Sequence, residues 1–176
     1  MAGPVASVLL PTKLTEARKT LLRSDIARIA TDVRGDDFWV DGRPFILGVG
    51  PESEAQLTEI AQSGLAAVLG WLPRDVVSFA AMSKGDQDHR LLAELCSGLA
   101  EREGGVIDFG GWLSIGPTLD EWVQSEPVRV GNPAGMSGVL FAMSYQTVAG
   151  AFATTHYGDA TFVRSWMQHP GFYMVK

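Results

Sequence analysis

Three histidines, one cysteine and a scatter of carboxylates are the residues of this chain that could do acid–base or nucleophilic chemistry. Two groupings set a histidine among acids. In the first, Asp86, Asp88, His89 and Arg90 precede Asp108. A carboxylate beside an imidazole raises its pKa and orients the ring, which is what a general base requires. In the second, His156 and Asp159 flank a helix start and are followed by Arg164 and His169. A small hydrolase or transferase would use His89 or His156 with Asp108 or Asp159, and needs the chosen pair to converge in a cleft. The architectural reading competes directly. Acids in a first helical turn complement the helix dipole, and Asp86 and Asp159 stand where caps belong.

Asp108 is the more unusual acid. It lies between Ile107 and Phe109, so strand alternation turns it to the face opposite theirs. A carboxylate in so apolar a strand must be hydrogen-bonded, paired or turned to solvent. Other chemistries lack their signatures. No HxH, HExxH or clustered Cys/His spacing occurs, so no metal is expected. The sequence has no GxSxG elbow, and the glycines between Gly104 and Gly116 match neither a Walker loop nor a dinucleotide fingerprint, so no cofactor is expected. Cys96 falls on the apolar side of its helix and reads as a small core residue.

The elements that must position these groups follow from local signals. Val5–Leu10 is a β-prone apolar run stopped by Pro11. Leu14, Ala17, Leu21, Leu22, Ile26 and Ile29 recur at helical steps, with Thr12 or Thr15 as cap. Asp41-Gly42 makes a hairpin turn between Phe38–Val40 and Pro44–Val49. Ser53–Gln56 and Thr118–Glu121 are capping boxes. Val76–Met82 reads as a strand, and Leu65–Leu72 is ambiguous. Asp86 opens a helix with Leu91, Leu92, Leu95, Cys96 and Leu99 on one side, ended by Gly104-Gly105 before the strand Val106–Phe109. Gly138–Tyr145 and Thr147–Thr155 pair as antiparallel strands. Asp159 then caps a helix carrying Phe162, Val163, Trp166 and Met167, His169-Pro170 stops it, and Phe172–Val175 adds a terminal strand. Without a regular βαβ repeat, this is a single α+β domain over residues 1–176, with a mixed or mainly antiparallel sheet and helices mostly on one face.

Composition narrows the function classes. At 176 residues the chain can bury a full core without staples. Its net charge of -6, with scattered basic residues, argues against nucleic acid and favours a basic partner. The longest apolar region, Gly64–Met82, is broken by Pro73, Arg74 and Asp75, so no membrane span is expected. The N-terminus lacks the basic region of a secretory signal, and the lone cysteine gives no internal disulfide; a cytoplasmic location follows.

Two stretches carry a family resemblance: DHRLLAELCSGLAEREGGVIDFGG from Asp88 to Gly111, and HYGDATFVRSWMQHPGFYMVK from His156. Together they resemble a family of small bacterial domains of unknown function that share a DHR-helix-GGxIDFGG core and end in a helix, HP and a short strand. The resemblance covers essentially the whole chain and implies no catalytic residues. By class the chain is also similar to immunity proteins, which bind a cognate antibacterial toxin and occlude its active site. That analogy implies a non-enzymatic protein with a protein partner. Its binding surfaces would be Asp36 and Asp37 beside Trp39, or Glu121 and Glu126 around Trp122, because tryptophan is enriched at binding hot spots. A structural or oligomeric module is the remaining alternative; the sequence leaves the oligomeric state open.

Overall fold

Val5–Leu10, the apolar run before Pro11, is a strand (β1) and the middle of the sheet. The other elements in chain order are α1 (Glu16–Ile29), β2 (Asp32–Arg34), β3 (Asp37–Val40), β4 (Arg43–Val49), α2 (Leu65–Leu69), β5 (Asp75–Ala81), α3 (Asp86–Glu103), β6 (Val106–Asp108), β7 (Val128–Val130), β8 (Leu140–Gln146), β9 (Phe152–Gly158) and α4 (Ala160–Trp166). The computed structural model describes residues 3–50, 64–113, 128–130, 135–146 and 152–174. Among these, nine strands form one sheet in the order β2-β3-β4-β5-β1-β6-β9-β8-β7, each neighbouring pair antiparallel. The fold is α+β.

The two faces of this sheet are covered differently. On the first, Ala6, Val8 and Leu10 of β1, Val77 and Phe79 of β5, and Phe38 and Phe45 of the hairpin meet Leu22 and Ile26 of α1, Leu92, Cys96 and Leu99 of α3, and Phe162, Val163 and Trp166 of α4. Three of the four helices among the described residues thus share one side. On the second face a smaller cluster of Leu9, Val76, Val106, Phe141, Met143 and Tyr157 packs with Leu65, Val68 and Leu69 of α2. Burying one such large apolar side chain is worth roughly 1.5–3 kcal/mol, so the helical side supplies most of the driving force.

Local chemistry explains the boundaries. Thr15 caps α1 by accepting the Arg18 N–H. Leu22 and Ile26 bury, while Leu21 and Ile29, though apolar, stay about half exposed at 50% and 53%. Asp41 and Gly42 both have positive φ, 51° and 73°, as a two-residue turn matched to strand twist demands. Gly104 ends α3 in the left-handed region, and Gly105 lets the chain pass so close to β1 that a Cβ would fall 2.6 Å from the Leu9 carbonyl oxygen.

Two local expectations need correction. The cap of α3 is Gly85, not Asp86; Asp88, three residues on, accepts the Gly85 N–H at 2.6 Å and the Arg43 guanidinium at 3.1 Å. Residue Asp86 is the first of the helix, two residues too early to reach back. Burial alone would raise the Asp88 pKa, but the Gly85 N–H and the Arg43 guanidinium hold it below the ordinary carboxylate value. The second correction concerns Phe172–Met174, which is not a strand. That segment crosses the helical side instead, where the Trp166 indole donates to the Tyr173 carbonyl and Met174 is buried.

Candidate functional site

Each histidine is positioned by the element it sits on, and each ends as an acceptor. His89, in the first turn of α3, is buried and accepts the Met174 N–H on Nδ1 at 2.9 Å. His156, buried on β9, accepts the Leu113 N–H on Nδ1 at 2.9 Å, with the Trp112 ring 4.4 Å away. His169, exposed beyond α4, accepts the Gly171 N–H at 3.1 Å and stacks on Trp166. An accepting Nδ1 places the proton of the neutral ring on Nε2. Burial pulls the His156 pKa down to about 4, so the ring is neutral in ordinary buffers.

The acids of the acid–base reading have separate partners. Asp159 caps α4, its Oδ1 accepting the Phe162 N–H at 2.6 Å. Asp108 and His156 belong to neighbouring strands but point to opposite faces: Asp108 is aligned with Tyr157, whose side chain alternates with that of His156. His89 also lies on the helical side, across the sheet from Asp108. Cys96 is fully buried, and burial pushes its thiol far above the ordinary range, leaving it inert. Among the described residues no group of three or more His, Cys, Asp or Glu could hold a metal ion.

Asp108 instead joins a row of side chains across the second face. The pairing register aligns Gly48, Ser78, Ser7, Asp108, Tyr157 and Phe141 on six successive strands. Ser7 and Ser78 share a hydrogen bond of 2.7 Å between their hydroxyls. Asp108 Oδ1 accepts the Gly110 N–H at 2.8 Å and the Thr155 hydroxyl at 3.0 Å. Burial raises the Asp108 pKa despite opposing hydrogen bonds from Gly110, Thr155 and Tyr157. Alternation had placed Asp108 on this face; Ser7, Ser78, Thr155 and Tyr157 were not singled out. Their only local signal was a serine at the centre of each of two apolar runs.

On one side of this row the second face is open. The register aligns Arg34, Asp37, Ile46, Ala80 and Val5, and beside them Asp32, Trp39 and Pro44. Val5, Ile46 and Met82 are 43%, 37% and 46% exposed, large values for apolar side chains on one contiguous surface. Trp39 is half-buried, with the Arg34 guanidinium 5.1 Å from its ring. Asp37 is exposed on the same face, whereas Asp36 turns toward the helices and pairs with Arg23 of α1 at 3.0 Å. Glu121, Trp122 and Glu126 lie outside the described residues. A second concavity, about 570 Å³, separates α1 from α3; Asp25 bridges Arg28 and Arg102 at its mouth.

A family profile matches residues 2–176, and its description is a family of unknown function, DUF6368. The chain belongs to this family. The match spans the Asp88–Gly111 and C-terminal stretches that carried the resemblance. No curated protein and no solved structure matches the chain. Among the described residues of this DUF6368 chain, no helix is long and apolar enough to cross a membrane.

Proposed function

We propose that the chain is a non-enzymatic binding protein of the immunity type, which occludes the active site of a cognate toxin with the open part of its second sheet face. One observation carries the reading: Trp39, Ile46, Val5 and Met82 form an exposed apolar surface beside Asp37 on a rigid sheet. A half-buried tryptophan ringed by polar groups is the usual anatomy of a binding hot spot. The net charge of -6 would speed encounter with a basic partner. The use of all three imidazoles as structural acceptors also favours binding over acid–base work.

The test is inhibition. Each gene flanking that of the chain is expressed alone and together with it: one product should arrest growth, and the chain should abolish that toxin's activity at one equivalent and restore growth on co-expression. Full toxin activity with the chain in tenfold excess would end the proposal.

A further inference from the structure

We propose that Asp108 seats a cationic side chain, lysine or arginine, of the protein that covers the second face. This rests on the binding-protein reading and adds the chemistry of the partner. Across the strands, the register puts four charged residues on this face: Asp32, Arg34, Asp37 and Asp108. Among these described strand residues, three carboxylates stand against one guanidinium, an acidic balance. Asp32 and Arg34 satisfy each other at 2.7 Å. Asp37 and Asp108 have no ion pair among the described residues, so the charge left to answer is theirs.

The two acids differ in what a partner would gain from them. Asp37 is exposed and screened by water, and a pair there contributes little. Asp108 is half-buried, its described donors are all neutral, and it lies at the end of the Ser78–Ser7 hydroxyl pair. A Lys or Arg head placed over the row would find a carboxylate on β6, the Ser7 hydroxyl one strand spacing away and the Ser78 hydroxyl one spacing further. Charge-assisted hydrogen bonds of this kind are stronger than neutral ones and stronger still away from water. The seat is within reach of the apolar surface. Four strand steps separate Trp39 from Asp108, roughly 20 Å, inside the span of a standard interface. A second copy of this acidic chain is the wrong occupant, since it would bring like charge to like.

A seated cation would also favour the ionised carboxylate, opposing the burial that raises its pKa. Tyr157 of β9 is the one other titratable group facing Asp108 among the described residues, while Ser7, Ser78 and Thr155 are neutral. Binding should therefore lower the Asp108 pKa.

The experiment is an NMR titration of the whole chain with acetyl-arginine methylamide and acetyl-lysine methylamide, with acetyl-norleucine methylamide as the uncharged control. The cationic probes should shift Ser7, Ser78, Asp108 and Thr155, and bind roughly tenfold more weakly to Asp108→Asn. Should Asp108→Asn fail to fold, Ser7→Val, which blocks the row and suits a strand, carries the same expectation. Equal binding by the norleucine control, or unchanged affinity in the variant, overturns the proposal. A probe seated at Asp108 supports the seat even if the chain inhibits no toxin. Toxin inhibition that is indifferent to Asp108→Asn removes the seat and leaves the binding reading standing.

Discussion

Acid should weaken this protein through His156 in a way that can be isolated. The imidazole is 1% exposed, and its Nδ1 accepts the Leu113 N–H at 2.9 Å, holding the segment after β6 against β9. Protonation would turn that acceptor into a donor facing another donor. Burial lowers the pKa from 6.5 to about 4. The unfolded chain therefore takes up a proton near pH 6.5 that the folded chain refuses until about pH 4. The stabilisation is complete above pH 6.5 and is lost as pH falls to about 4, at about 1.4 kcal/mol per pH unit and roughly 3 kcal/mol in all. Urea unfolding of the wild type and of His156→Asn, whose amide oxygen can still accept the Leu113 N–H, should be run from pH 7.5 to pH 4. The difference between them should shrink by that amount on acidification. A difference that stays flat with pH would refute the reasoning.

Other outcomes follow from the same contacts. Asp108→Asn should remove the cost of ionising a buried carboxyl: because the folded pKa is raised, the wild type loses stability as pH rises through and above 3.8, and the variant should not, by urea melts at pH 3 and pH 7. Asp88→Ala leaves the Gly85 N–H and Arg43 without their acceptor and should destabilise by about 2 kcal/mol in the same assay; a loss under about 0.5 kcal/mol would show the α3 cap to be unimportant. Trp39→Ala should leave the melting temperature within a few degrees but weaken partner binding by about 2 kcal/mol, read by calorimetry. Cys96 should resist a thiol reagent in native buffer and react fully in denaturant; rapid native labelling would contradict its burial.

Much of the fold was written in short-range signals. The Val5–Leu10 run, the Asp159 cap, the Asp41-Gly42 turn and the Gly104-Gly105 stop each depend on a few adjacent residues and stand where the sequence put them, and the α1 cap is Thr15, one of the two residues the sequence offered. Asp86 and Asp88 show the limit of such signals. Both are first-turn acids, and only the three-residue reach back to Gly85 separates them. The terminal segment 172–174 reads as β from its residue types, yet tertiary contacts with His89 and Trp166 decide its course. The site was half legible. Alternation turned Asp108 away from Ile107, and Trp39 was marked with Asp37, but strand order alone brings Ser7, Ser78 and Tyr157 alongside Asp108. That order depends on pairing between distant segments, which no local pattern records.

The binding reading is tested most directly by hydroxyl-radical footprinting of the chain alone and in complex with a toxin that it inhibits. Trp39 and Met82 are the oxidisable reporters on the open face. Both should lose most of their reactivity in the complex, while His169, exposed on the helical side, should keep its own. Unchanged oxidation of Trp39 and Met82 in a demonstrated complex would contradict the account.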